Sequence, residues 1–239
     1  MERIQKVISN YGYASRREAE KLILEKRVKV NGEVVTELGT KVSTSDTISI
    51  DDIDIDKNIK YEYYLLYKPR EVITSTKDEV GRKTVVDLIN TNTRIYPVGR
   101  LDYDTTGLLL LTNDGTLANI LMHPSSNVDK VYVAKVKGLV KKEDINCLKR
   151  GVLIDNYLAR ATFAKVRKYD KKSNTSIVEI VIHEGKNHQV KKMFNALSYD
   201  VVKLKRERYA FLNLEGLKPG EYRKLQIKEV KKLYSLKKH

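Results

Sequence analysis

Residues 97–115, Pro-Val-Gly-Arg-Leu-Asp-Tyr-Asp-Thr-Thr-Gly-Leu-Leu-Leu-Leu-Thr-Asn-Asp-Gly, constrain this chain more than any other stretch. Leu108 to Leu111 leave a strand with no polar face, so it must be buried on both sides within a sheet. The turn before it bears Arg100, Asp102, Asp104, Thr105 and Thr106, whose polar groups are thereby fixed against rigid structure. Asn113-Asp114-Gly115 then turns the chain into a helix marked by Leu117, Ile120 and Leu121, which stops at His123-Pro124. An aspartate so placed can serve as a nucleophile, a general base or a magnesium ligand, and equally as a turn cap. Asp102 with Asp104 also suggests a two-metal nuclease, a reading weakened because the next carboxylate, Asp114, lies beyond the buried strand.

Strand and helix patterns alternate around this segment. Tyr61 to Tyr67, Val131 to Lys137, Leu158 to Lys168, Ser176 to His183 and Val201 to Leu214 read as strands. Glu143 to Arg150, closed by Gly151, reads as a helix, and Val190, Met193, Phe194 and Leu197 mark another by their spacing. Ile227, Val230, Leu233 and Leu236 predict a last, lysine-rich helix. Strands outnumber helices and several are separated by hairpin-length gaps, which predicts a mainly antiparallel α+β sheet rather than a doubly wound parallel one.

The N-terminal segment reads as a separate module of two helices and a hairpin. Ile4, Val7 and Ile8 share one helical face. Ser15-Arg16-Arg17-Glu18 is a capping box leading into Ala19, Leu22 and Ile23. Asn31-Gly32 between Val28-Lys29-Val30 and Glu33-Val34-Val35 is a type I′ hairpin signal, because that turn needs positive φ at both central residues. Residues 1–60 carry 11 basic and 11 acidic residues, so the whole net charge of +15 belongs to the remainder. Arg16, Arg17, Lys21, Lys26, Arg27 and Lys29 cluster near one edge of the module; charge alone favours a solvated helix face there. The acidic stretch Asp51 to Asp56 reads as the boundary, dividing the chain into domains 1–56 and 57–239.

A net charge of +15 points to a polyanionic partner, nucleic acid or an acidic membrane. The membrane is the weaker choice, since no Trp and only 3 Phe are available to an amphipathic face. One cysteine, Cys147, excludes a disulfide scaffold and a Cys-based zinc site. The histidines at 123, 183, 188 and 239 lack metal-ligand spacing, and no phosphate-binding glycine loop or nucleophile elbow is present. The expectation is a cytoplasmic, monomeric protein without metal or cofactor.

The segment Gly99-Arg100-Leu101-Asp102 through Thr105-Thr106-Gly107 and the leucine run resembles the signature of the RsuA/RluB family of ribosomal RNA pseudouridine synthases. Tyr67-Lys68-Pro69-Arg70 is similar to the early Lys-Pro motif of that family, and Gly81-Arg82-Lys83-Thr84-Val85 to its following segment. Lys130-Val131-Tyr132 resembles its tyrosine-bearing strand motif, and Glu184 to Phe194 its last motif. The N-terminal module resembles an S4 RNA-binding domain, so the resemblance spans nearly the whole chain.

The resemblance implies an S4 domain followed by a synthase domain with a mixed, mainly antiparallel sheet and flanking helices. It implies that Asp102 attacks the target uridine, Lys191 is its basic partner, and Tyr132 packs on the flipped base. It assigns Arg100 to holding the nucleotide out of the stack. Lys186 and Lys192, with the basic residues of the first domain, would contact RNA. The implied substrate is a structured stem-loop of large-subunit ribosomal RNA, free or in an assembly intermediate. A small-subunit target and a non-catalytic ribosome-assembly factor remain the alternatives. Two positions depart from the family: Lys191 stands where arginine is common, and Glu71 where glycine is usual, which puts positive φ at that loop in doubt.

Overall fold

The computed structural model describes residues 1–236; His239 lies outside them. The described residues divide into two units. The first comprises Met1–Glu62 with the short segments Thr91–Ile95 and Asn113–Gly115, and the second the rest.

In the first unit, β1 (Glu2–Arg3) leads into α1 (Ile4–Asn10) and α2 (Arg16–Leu24). Ser15 and Glu18 form the reciprocal cap at the start of α2, satisfying backbone donors that would otherwise face solvent. β2 (Val28–Val30) and β3 (Glu33–Val34) form the hairpin, with Asn31 and Gly32 at φ +50° and +87°. β4 (Lys41–Val42) pairs with β1, while β5 (Ile48–Ile50) and β6 (Ile53–Asp54) complete a sheet in the order β3-β2-β5-β6. Ile4, Ile8, Ala19, Ile23, Val28 and Ile48 make its core, and Ile55 joins them at 5% exposure.

Two expectations for this unit are corrected. The acidic stretch lies inside the first unit rather than at its boundary: Asp51 and Asp52 form the turn between β5 and β6, and the Ile55 N–H donates to the Ile48 carbonyl at 2.9 Å. The basic cluster is not uniformly free either. Arg27 makes a two-pronged bond to Asp51 at 2.7 and 2.6 Å, and Lys29 pairs with Asp52. Those acidic residues therefore neutralise the hairpin end of the cluster and leave Arg16 and Arg17 exposed on α2.

The second unit is built on a nine-stranded sheet. Its elements are β7 (Tyr63–Lys68), β8 (Tyr96–Val98), β9 (Thr106–Thr112), α3 (Gly115–Met122), β10 (Lys130–Lys137) and α4 (Lys142–Arg150). They continue as β11 (Val152–Ile154), β12 (Tyr157–Ala159), β13 (Phe163–Asp170), β14 (Thr175–Ile182) and α5 (Gln189–Asn195). The unit ends with β15 (Val201–Tyr209), β16 (Leu212–Asn213), β17 (Tyr222–Lys224) and α6 (Ile227–Tyr234). The strand order is β13-β14-β10-β15-β9-β7-β17, with β16 on β15 and β8 on β9. Every pairing in it is antiparallel except β15 with β9. The leucine run is β9, central as its composition requires, with Leu108 to Leu111 all buried.

One local expectation fails. The run from Leu158 to Lys168 is not one strand but β12 and β13. The chain leaves the β11–β12 hairpin at Ala161, whose N–H donates to the Leu148 carbonyl of α4 at 2.9 Å. Alternation of side chains cannot reveal such a corner. The last helix is present as α6, with Leu233 buried and Ile227, at its start, 75% exposed.

One contact fixes where the turn before β9 sits. At the parallel pairing of β9 with β15, Gly107 lies beside Arg206 with φ +122°. A Cβ on Gly107 would lie 2.2 Å from the Arg206 carbonyl oxygen. Only glycine admits both that φ and that approach. Gly107→Ala should therefore destabilise the second unit by roughly 3 kcal/mol, read as a lower urea midpoint. An unchanged midpoint would show that β9 and β15 can separate without cost.

Candidate active site

The turn from Gly99 to Thr105 is held from below by a buried lysine. Lys68, at the end of β7 and fully buried, donates through Nζ to the carbonyls of Pro69, Asp102, Tyr103 and Thr105 at 3.0, 3.1, 3.4 and 3.0 Å. Burial pulls its pKa down to about 8, opposed by the charges of Asp104 and Asp102. The ammonium thus organises the backbone of the turn and leaves the aspartate side chains free to face the cleft. Two further clamps come from the loop after β7. Thr74 Oγ1 donates to the Leu101 carbonyl at 2.6 Å, and the Glu71 N–H donates to the Tyr103 carbonyl at 2.8 Å. Glu71 does adopt positive φ, +62°, so the left-handed conformation persists without glycine.

The side chains of the turn converge on α5. Lys191 Nζ lies 3.1 Å from Asp102 Oδ2 and 2.6 Å from Asp104 Oδ1. Burial acts to lower the Lys191 pKa, but its hydrogen bonds to Asp104 and Asp102 outweigh that and raise it. Burial likewise pushes Asp104 up, and the bond and charge of Lys191 reverse the shift. The cluster is an ammonium bridging two carboxylates. His188, in the left-handed conformation at the start of α5, lies 3.9 Å from Asp102.

Tyr132 of β10 enters the same cleft. It is 7% exposed and lines a cavity of about 50 Å³ with Arg100, Asp102, Thr105, Lys186, Val190 and Leu204. A larger adjoining cavity of about 260 Å³ shares Arg100, Tyr132 and Lys186 and adds Lys130, Arg206 and Tyr209. Arg206 is 2% exposed, with its guanidinium 5.9 Å from the Tyr132 ring and 5.2 Å from the Tyr209 ring. Its Nε donates to the Leu108 carbonyl at 2.8 Å and its Nη1 to the Tyr132 hydroxyl at 3.4 Å. Lys130, half-buried, has its pKa lowered to about 8 by burial and then by Arg206.

Asp102, Tyr132, Arg100 and Lys186 line one cleft, and Lys191 reaches it through Asp102. Lys192 turns instead to Asp155 in the β11–β12 hairpin, and the Lys186 ammonium sits 3.3 Å from the Tyr157 ring centroid. Arg206 carries no motif in the sequence, and Lys68 enters it within the Lys-Pro motif but without a role. A lysine closing an apolar strand reads as a solvent-facing end, and Arg206 hides in the basic run Lys203 to Arg208. Alternation carries its only signal: Arg206 shares a parity with buried Leu204, opposite to Lys203 and Lys205.

The RNA pseudouridylate synthase family pattern matches residues 62–196, and the S4 domain pattern residues 2–48. The chain is 54% identical over 240 residues to the ribosomal large subunit pseudouridine synthase B of Bacillus subtilis (strain 168), covering 100% of this chain and 98% of that protein. It is 42% identical to an uncharacterized RNA pseudouridine synthase of Aquifex aeolicus, covering 97% and 93%. A crystal structure of a pseudouridylate synthase superposes with a TM-score of 0.69 at 31% identity, covering 98% of this chain and 100% of that one.

If Lys68 organises the turn, Lys68→Met should reduce single-turnover conversion by about 100-fold, the scale of a 1 Å misplacement. RNA affinity should stay within a few-fold of wild type in a filter-binding titration. Wild-type turnover by a folded Lys68→Met protein would show that the turn holds itself.

Proposed function

The chain belongs to the RNA pseudouridylate synthase family, and from that premise we propose that Asp102 is its nucleophile and large-subunit ribosomal RNA its substrate. The enzyme isomerises uridine to pseudouridine: the bond between C1′ and N1 breaks, and a bond between C1′ and C5 forms. N1 gains a proton and C5 loses one, so the reaction balances without a redox equivalent. The observation that carries the reading is the Lys191 ammonium 3.1 Å from Asp102, in a cleft lined by Tyr132 and Arg100. A carboxylate that must act as an anion among RNA phosphates needs such a cation beside it.

Tyr132 supplies the aromatic face on which the detached uracil turns, and Arg206 braces its hydroxyl. Arg100, exposed at the cleft mouth, fills the place that the extruded nucleotide leaves in the RNA. Arg16 and Arg17 on α2 suit contact with the RNA backbone, so the S4 unit docks and the second unit reacts. The large-subunit assignment rests on the Bacillus subtilis relative, similar over its full length. We place the reaction in the cytoplasm, on a stem-loop of free ribosomal RNA or of an assembly intermediate, by a monomeric enzyme. No helix among the described residues is long and apolar enough to cross a membrane.

Asp102→Asn tests the assignment. It keeps the size of the side chain and removes its charge and nucleophilicity. A turn cap would tolerate the amide at a cost of about 1 kcal/mol. A nucleophile would not, so conversion should vanish while folding and RNA affinity stay near wild type. Conversion is scored by a chemical probe for pseudouridine, because the isomer has the mass of uridine. Measurable single-turnover conversion by a folded Asp102→Asn protein would remove Asp102 from this role. Mapping pseudouridines in large-subunit RNA with and without the gene product tests the substrate.

A further inference from the structure

The register of the main sheet separates two faces of opposite character. Ala164, Ile180, Tyr132 and Arg206 form one cross-strand row over β13, β14, β10 and β15, and Val166, Val178, Ala134 and Leu204 the next. That face holds the aromatic and the arginine of the cleft. The intervening rows point the other way. They are Phe163–Val181–Val131–Arg208, Lys165–Glu179–Val133–Lys205 and Lys168–Ile177–Lys135–Lys203.

On this second face Glu179, 6% exposed, receives Arg167 at 2.7 Å with Lys165 and Arg208 each at 3.7 Å. Glu207 takes Arg167 at 2.8 Å and Lys205 at 3.8 Å. The third row has no such compensation: among the described residues no acidic side chain forms an ion pair with Lys135, Lys168 or Lys203. Asp170 is near enough for the charge of Lys135 to act on it, but its oxygens are engaged by Ser173. Lys135 and Lys203 are direct cross-strand partners, an arrangement in which like charges repel. An edge lysine such as Lys168 on β13 can be explained as protection against edge-to-edge pairing. That explanation does not reach Lys135 and Lys203, which lie on the inner strands β10 and β15.

We propose that this face of the sheet, opposite to Tyr132, is a second RNA-binding surface that takes the phosphate backbone of the substrate outside the target loop. The proposal rests on RNA being the substrate and adds where the rest of it lies. Neighbouring strands put the row's lysines about 5 Å apart per strand step, close enough for consecutive charges to act on one backbone. Phe163, 40% exposed between the Lys149 and Lys165 ammonium groups, adds a ring on which an unpaired base can stack. RNA is favoured over an acidic protein or lipid because the cleft on the other face already commits the enzyme to it.

The test is a triple variant, Lys135→Gln, Lys168→Gln and Lys203→Gln, none of which touches the Glu179 pairs. Its single-turnover rate on a saturating minimal stem-loop should equal that of wild type. Its affinity for a long ribosomal RNA fragment should fall tenfold or more at about 0.1 M salt, and its log–log salt slope should shrink by about 2 to 3. The corresponding triple lysine-to-arginine variant should bind as wild type. Unchanged affinity and slope in the glutamine variant would overturn the proposal. So would loss of binding to anionic vesicles or polyglutamate with RNA binding intact. Should the triple variant fail to fold, Lys203→Gln alone should still reduce the slope by about 0.7 to 0.9, and an unreduced slope overturns the proposal equally. Wild-type conversion of the minimal stem-loop is scored separately, so failure of the catalytic reading is recognised on its own.

Discussion

A single buried ammonium holds the turn that carries Asp102 in place. Lys68 meets four carbonyl oxygens, three of them from residues 102 to 105. A charged donor contributes about 1.5–3 kcal/mol per hydrogen bond, but removing the cation from water costs several kcal/mol. The lowering of its pKa to about 8 shows that burial still weighs more than the aspartates above it. What the molecule gains is geometric: the backbone of Asp102 is fixed while its side chain stays 28% exposed toward the cleft. The left-handed Glu71 fits the same logic. A strained φ costs roughly 1–3 kcal/mol, and here it directs a backbone N–H onto Tyr103, the one residue of the turn that Lys68 holds most loosely.

The close approach at Gly107 couples this turn to the rest of the cleft. Because β9 and β15 touch there, Arg206 can reach the Leu108 carbonyl, and from that anchor its guanidinium lies beside both Tyr132 and Tyr209. Burial raises the Tyr209 phenol to about 12, so that hydroxyl remains a donor, to the Leu121 carbonyl at 2.8 Å. One backbone contact thus sets the spacing between the turn that carries Asp102 and the strand that carries Tyr132.

Much of this was legible where chemistry is local. The leucine run, the Asn31–Gly32 turn and the Ser15–Glu18 box each encode their structure within a few residues. The Asp51 to Asp56 stretch reads as a boundary because its charge obscures the alternation of Ile53 and Ile55, which marks a short strand and a core residue. Asp102, Tyr132 and Lys191 were reached through family motifs rather than physics, since their proximity depends on three elements far apart in sequence. Lys68 and Arg206 were hidden for a related reason. Their burial depends on acceptors that only the folded chain supplies.

The lysine at 191, where arginine is common in the family, follows from what faces it. A guanidinium offers a rigid planar fork suited to both oxygens of one carboxylate. Here two carboxylates, Asp102 and Asp104, approach from one turn, at 3.1 and 2.6 Å. An ammonium has three donors around a compact centre and can serve both from one position. Asp104 draws it more closely than Asp102 does, so the cation's charge is shared between the two carboxylates. Asp102 is thereby held by one lysine bond rather than a fork, and its other oxygen, Oδ1, lies outside that bond, 3.9 Å from His188.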